Sequence, residues 1–434
     1  MFQPICFDIV DFMSSQKIIR VVELFAGVGG FRLGLERTDK QRFQTIWANQ
    51  WEPNKKSQHA YSCYIKHFGS SPNHVNEDIA FAKFSVPEHD LLVGGFPCQD
   101  YSVARTGAQG IEGHKGVLWW EIRDIVQTHR PEYILLENVD RLLKSPATQR
   151  GRDFGVMLRC LNDLGYVVEW RVINAADYGF AQRRRRIFIF ATRQDSLMLK
   201  SLQVDDESLK EWLLHDGLFA QAFPVEPEIH TKKITTSLID SKHFSELADV
   251  SERFKVELHN AGVMCNGKFV SCEVMPISKP FIPLKNILHN AFAVKHKEQQ
   301  PFEVEKRYFL SDDTEKWRYL KGAKRIPRIK PNGEPYFFAE GAMCFPDNLE
   351  ASARTMLTSE SSINRSSHVV ADLLNGQLRL LTPIECERIN GFDDNWTNVE
   401  GVPHKFRYFA MGNALVVPVV EVLSKTLLQR IDVN

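Results

Sequence analysis

The 434-residue sequence carries no net charge, with 54 Lys and Arg balanced by 54 Asp and Glu. Global electrostatics therefore single out no partner, and attraction for a polyanion has to come from local clusters. Paired cysteines are missing too. The eight cysteines, at positions 6, 63, 98, 160, 265, 272, 344 and 386, form no CxxC pair and no zinc spacing. That excludes a disulfide framework and a Cys-rich metal site, and a reduced, cytoplasmic protein is expected. No run approaches the roughly 20 apolar residues that cross a bilayer, so no membrane contact is expected. Residues 1–18 are apolar in flavour, but Asp8 and Asp11 interrupt them and no basic stretch comes first. They read as a tail and not as a signal peptide. Repeats and low-complexity tracts are absent, and 43% hydrophobic with 25% charged residues is ordinary globular composition.

One absence falls inside a motif. Ile18 to Phe25 is an apolar run ending in AGVGG, followed by FRLGLER with helical spacing. Strand, glycine turn and helix open a doubly wound α/β sheet. A dinucleotide fingerprint starting at Gly27 needs glycine at position 32, where Arg32 stands, so a nicotinamide or flavin site loses its main support. The turn formed by Ala26, Gly27, Gly29 and Gly30 still lets a ligand approach the backbone. Without a phosphate requirement, that ligand can be an adenosine carrying an amino acid.

Further strands are expected at Phe43 to Ala48, around Val75, at Leu91 to Val93 and at Tyr133 to Leu136, and each runs into polar residues. The second ends at Gln50 and Trp51, where such folds contact ribose hydroxyls. Asp78, beside Ile79, is placed to accept from an adenine amino group. Taken singly, each of these is more commonly a solvated loop residue. The fourth strand leads into GGFPCQDYS, where Pro97 fixes its own φ and disfavours helix at Phe96. Cys98 is thereby presented on a stiff turn, as a nucleophile would be, although a lone cysteine is more commonly a small buried hydrophobe. A glycine-rich loop, Thr106 to Gly116, and a helix from Leu118 to a stop at Pro131 follow. The fifth strand ends at Glu137, where partial burial raises a carboxyl pKa and suits it to act as an acid.

DYGFAQRRRR (Asp177 to Arg186) then precedes another strand. In extended backbone alternate residues share a face, so Arg184 and Arg186 point one way and Arg183 and Arg185 the other. One pair can face a pocket and the other phosphates; a solvated basic turn is the plainer alternative. From about Asp195 to Asn375 the alternation of strand and helix disappears, and a separate, irregular domain is expected. It contains Lys316 to Lys330, with seven basic and no acidic residues. Pattern returns at Leu378 to Phe392, where Thr382 reads as an N-cap, Pro383 as the first helical residue and Glu385 as the capping-box partner. A Gly412-Asn413 turn and an apolar C-terminal helix close the chain.

Gly27, Gln50, Asp78, Cys98 and Glu137 thus fall at the carboxyl ends of successive strands, where open α/β sheets bind ligands. At this point ELFAGVGGFRLGLE, NQWEP, GGFPCQDYS, ENV, DYGFAQRRRRIF, RLLTPIECERINGF and GNALVVPVV, in this order, resemble the cytosine-5 DNA methyltransferases of bacterial type II restriction-modification systems. The resemblance covers about residues 19–192 and 376–434. It implies a Rossmann-like, mostly parallel sheet of the S-adenosylmethionine-dependent methyltransferases with a second, smaller, irregular target-recognition domain. Residues 19–194, completed by 405–434, would form the catalytic and cofactor domain, 195–377 the target-recognition domain and 378–404 the hinge and return segment.

By the same resemblance, double-stranded DNA is the substrate and S-adenosylmethionine the methyl donor, with no metal and a monomeric chain. A cognate restriction endonuclease shares the target without having to bind. Base flipping exposes the cytosine to Cys98, with Glu137, Arg184 and Arg186 as its catalytic companions. Phe25, Gln50, Trp51, Asp78, Ile79, Pro97, Leu118 and Asn413 hold the cofactor around the glycine turn, and Gln99, Ser102, Arg183 and Arg185 meet DNA. An RNA cytosine-5 methyltransferase on the same scaffold is the alternative. Departures from the family pattern are Gln50 for the usual glutamate, Ala181 for proline and Ala414 for a frequent serine, and the first puts cofactor affinity in question.

Overall fold

The computed structural model describes residues 17–96, 118–227, 233–289, 303–311, 314–330 and 332–433. Five strands succeed one another in the first part of the chain: β1 (Ile19–Leu24), β2 (Phe43–Asn49), β3 (His74–Val75), β4 (Leu91–Gly95) and β5 (Tyr133–Val139). All are parallel, with β1 between β2 and β4. Both faces of such strands are covered, which is why they read as continuous apolar runs. Alternate residues supply the two cores. Leu91 and Val93 face the side packed by Val417, Val420 and Leu423 of the C-terminal helix Val417–Val433. Leu92 and Ile134 face the side packed by Trp119, Ile122 and Ile125 of the helix Leu118–His129.

Strands β6 (Tyr166–Asn174) and β7 (Arg185–Arg193) continue the sheet antiparallel, β7 lying against β5. The expected break after residue 194 is not where the sheet ends. β8 (Ile234–Leu238), β9 (Ala261–Cys265) and β10 (Lys268–Cys272) extend it, giving the order β3-β2-β1-β4-β5-β7-β6-β9-β10-β8. The β9–β10 hairpin turns on Asn266 and Gly267, with φ of 50° and 75°. Positive φ at both positions is the requirement of a tight two-residue hairpin, and Asn-Gly meets it. Irregular structure therefore begins after β10, and the segment 195–272 belongs in good part to the α/β body.

The return segment folds as its capping signature requires. Thr382 caps the helix Pro383–Ile389, with Pro383 in its first turn and Glu385 bonded back to the cap. Gly412 and Asn413 do not form a turn; they are the last residues of the helix His404–Asn413. The C-terminal helix is fastened to the start of the sheet by Arg42, whose guanidinium meets Asp432 at 2.8 Å. Among the described residues, no single helix is long and apolar enough to cross a membrane.

Candidate active site

The carboxyl ends of the parallel strands are tied to one another by side chains. Gln50, directly after β2, accepts a hydrogen bond at Oε1 from the Gly27 backbone N–H at 2.7 Å. This contact orients the amide, so its nitrogen is the group left for a ligand. Buried Asn49 donates from Nδ2 to the Glu77 carbonyl at 2.8 Å and fixes the loop that carries Asp78. Asp78 in turn caps the short helix Ile79–Ala82, accepting from the Ala80 N–H at 3.0 Å with one oxygen. Phe25 sits at φ 54°, a left-handed conformation that costs a bulky residue about 1 kcal/mol or more. The turn after β1 is therefore held by its surroundings.

Gly95 on β4 lies beside Glu137 on β5. A Cβ at position 95 would come within 3.2 Å of Glu137 Oε2, so the glycine leaves the room the carboxyl occupies. Arg186 Nε meets Glu137 Oε1 at 2.9 Å. Burial pushes the Glu137 carboxyl above its ordinary pKa, and Arg186 and then Arg184 pull it back only in part. Burial of this kind favours the protonated, neutral form, in which a carboxyl can donate a hydrogen bond as well as accept one.

Arg184 is 2% exposed and donates to the carbonyls of Gly412 at 3.1 Å, Asn413 at 3.3 Å and Met356 at 3.4 Å. Burial, reinforced by Arg186, lowers its pKa to about 9. It clamps the C-terminal segment to the site and acts through the backbone it holds. Arg183 and Arg185 are exposed, and Arg185 reaches Asp140 at 3.2 Å. The four arginines thus alternate between inside and outside, although Arg183 and Arg184 precede the strand.

A cavity of about 700 Å³ joins these parts. Its wall includes Phe25, Ala26, Gly27, Gly30, Gln50, Trp51, Asp78, Ile79, Leu118 and Asn413, and it continues to Glu137, Arg184 and Arg186. Gly29 is not part of that wall. It precedes the helix Gly30–Asp39 at φ 88°, and a Cβ there would strike the Phe68 ring, so its glycine answers to packing and not to a ligand. Pro97, Cys98, Gln99, Ser102 and the loop Thr106 to Gly116 lie outside the described residues. A second cavity of about 590 Å³, between Asn174, Arg185 and His259, includes neither Glu137 nor the glycine turn.

One residue of this site went unassigned in the sequence. Asn138 is 2% exposed and donates from Nδ2 to the Phe96 carbonyl at 2.9 Å, holding the residue that leads into Pro97 and Cys98. Its signal was available, since an amide that follows four apolar residues and a glutamate in a buried strand needs a partner.

Residues 19–429 match the family model of C-5 cytosine-specific DNA methylases. The chain is 50% identical over 408 residues to the type II methyltransferase M.Sau3AI of Staphylococcus aureus, covering 93% of each protein. It is 34% identical over 182 residues to M.HhaI of Haemophilus parahaemolyticus, across 41% of this chain and 50% of that one. The solved S. pombe Dnmt2 methyltransferase superposes with a TM-score of 0.55 at 16% identity, over 95% of this chain and 99% of the other, which is a likeness of fold. The family model is of DNA methylases and the Staphylococcus relative is a type II methyltransferase, which favours DNA over the RNA alternative. With its α/β sheet, its strand-end cavity and a family match that spans nearly the whole chain, this protein belongs to the C-5 cytosine-specific DNA methylases.

Proposed function

We propose that the protein is a type II modification methyltransferase that acts on a cytosine flipped out of a specific duplex sequence, with Cys98 as nucleophile. The observation that carries this reading is the Glu137–Arg186 pair, 2.9 Å apart, opening into the same cavity as Phe25, Gln50 and Asp78. A stacked cytosine cannot reach such a cavity, so the base has to leave the helix. A free thiol near pKa 8.5 is only roughly a tenth ionised at pH 7.5, so positive charge close to Cys98 would help it react.

The Cys98 thiolate adds to carbon 6 and forms a C–S bond. Glu137, holding ring nitrogen 3, shares its proton there as the electron pair shifts and carbon 5 becomes nucleophilic. Arg186 meets the base carbonyl oxygen and stabilises the charge that develops on it. After transfer, a base takes the carbon 5 proton, the electron pair left behind re-forms the 5,6 double bond, and the C–S bond breaks to release Cys98 as thiolate.

The residues present suit S-adenosylmethionine. Aromatic and aliphatic walls at Phe25, Trp51, Ile79 and Leu118 match an adenine ring, and Asp78 keeps one carboxylate oxygen for its amino group. The Gln50 amide faces the ribose. When bound, this cofactor supplies an electrophilic methyl group to carbon 5.

Sequence choice is assigned to the segment 195–377, and within it to the part that follows β10. The alignment with the Staphylococcus relative covers 93% of the chain, so it takes in most of that segment. The two proteins are proposed to methylate one sequence, and each to shield its DNA from an endonuclease of the same target. Bisulfite sequencing of DNA from cells expressing either protein tests this, and two different methylated sequences would refute it. The chemical assignment is tested with a duplex carrying 5-fluorocytosine. Wild-type protein should be trapped covalently and Cys98→Ser should not, while still binding cofactor; an adduct with Cys98→Ser rules out this nucleophile.

A further inference from the structure

Strands β11 (Lys324–Ile329) and β12 (Pro335–Glu340) form an antiparallel ribbon of their own, apart from the main sheet. Its register pairs Arg325 with Ala339 and Pro327 with Phe337. Because side chains alternate, Arg325, Pro327, Ile329, Phe337 and Ala339 share one face, and all are exposed. Ile329 is 74% and Phe337 56% exposed, which is unusual for apolar side chains on one surface unless something covers them. Another strand is a poor candidate. Both strands are edges, and Pro327 and Pro335 lack the N–H groups that strand addition needs.

The charges point elsewhere. Lys324 and Lys330 are matched by Glu340 at 3.8 Å and Glu334 at 2.9 Å. Arg325 and Arg328 have no carboxylate partner among the described residues. Their guanidinium groups lie over the rings of Phe337 and Phe338, 4.2 Å and 4.0 Å from the ring centroids. Stacking orients a guanidinium plane without consuming its N–H donors, which remain free for a planar pair of acceptors.

The ribbon also has a firm root. Arg365 donates to the carbonyls of Leu320 at 2.8 Å and Gly322 at 3.0 Å, and to that of Gly341, clamping both strands where they leave the body. Arg354 holds the Ser366 carbonyl at 2.9 Å. Its neighbour Thr355 donates to the carbonyl of Arg183. The ribbon therefore stands on the frame that carries Arg183 and Arg184.

Resting on the reading of this chain as a DNA methyltransferase, we infer that the β11–β12 ribbon enters the major groove beside the target cytosine, and that Arg325, oriented by Phe337, reads a guanine edge. The groove, about 12 Å wide, admits a two-stranded ribbon, and arginine pairs bidentately with the O6 and N7 acceptors of guanine. The unpaired positive charge of Arg325 and Arg328 complements the phosphates on either side.

The test compares kcat/KM of wild type, Arg325→Ala and Phe337→Ala on duplexes bearing the methylated sequence and each single-base change within it. Both side chains are exposed, so folding should persist, and unchanged S-adenosylmethionine affinity checks that. Arg325→Ala should lose roughly 5- to 150-fold discrimination at one G·C pair and keep it elsewhere. Phe337→Ala should lose part of the discrimination at the same pair. Variants that discriminate like wild type overturn the inference, as does an equal loss on every sequence with a flatter salt dependence, which marks a phosphate contact. Wild-type protein that transfers no methyl group to any duplex overturns the functional reading itself, and this inference with it.

Discussion

Gln50 offers the most direct trial of the cofactor site, because its geometry predicts both the sign and the size of an effect. Its Oε1 is engaged by the Gly27 N–H at 2.7 Å, so the group left for the proposed ribose contact is the amide nitrogen, which only donates. In Gln50→Glu one carboxylate oxygen can keep the Gly27 bond while the other accepts from a ribose hydroxyl. Neutral hydrogen bonds contribute about 0.5–1.5 kcal/mol net and bonds to charged groups about 1.5–3 kcal/mol, a gain of about 1 kcal/mol. That corresponds to roughly fivefold tighter binding. Titration calorimetry with S-adenosylmethionine and with S-adenosylhomocysteine should show the same gain, since both carry the ribose. Binding weakened tenfold or more would mean that the side chain does not meet the ribose. A Kd unchanged within twofold would mean that Gly27 is its only partner.

Gly95→Ala should lower kcat with little change in cofactor Kd, because the added Cβ lies 3.2 Å from Glu137 Oε2 and displaces the carboxyl; an unaltered kcat would show that this carboxyl tolerates displacement. Arg186→Ala should reduce methyl transfer at saturating DNA, whereas Arg183→Ala and Arg185→Ala should mainly weaken DNA affinity and flatten its salt dependence, and equal effects at all three positions would sink the inside–outside distinction. Glu23, fully buried on β1 against the Tyr64 hydroxyl at 3.0 Å, has its pKa raised from 4.5 to about 7 by burial, against the opposing pull of Arg32. The folded state thus holds this proton more tightly than the unfolded state, so the associated stability is full below about pH 4.5 and is lost as pH rises to about 7. Glu23→Gln should abolish that part of the decline, about 3 kcal/mol at most, and denaturant titrations at pH 5 and pH 8 with the same slope in both proteins would refute it.

What the amino-acid sequence determined by itself was the local grammar. Apolar runs that end in glycine or polar residues marked the strands, and Gly27, Gln50 and Asp78 came just past their carboxyl ends, whereas Glu137 lies inside β5, which runs on to Val139 and buries the carboxyl. Thr382, Pro383 and Glu385 marked a helix start, since a cap is settled within four residues. The alternation of the arginines was legible because extended backbone has a period of two. The extent of the sheet was not. Asn266-Gly267 signals the β9–β10 hairpin, but the other partner of β9 is β6, with Trp170 opposite Gly262. Nothing local encodes a pairing between strands so far apart in sequence, and the segment after residue 194 read as irregular. Gly29 looked like its neighbours in the glycine turn, and only the approach of Phe68 separates it from them. The same holds for Asn138, whose partner is the Phe96 carbonyl just past β4, and for Arg184, whose partners are carbonyls of Met356, Gly412 and Asn413. Side chains that act through distant backbone acquire their roles only when the chain closes on itself, because their hydrogen-bond acceptors do not exist as a group until then.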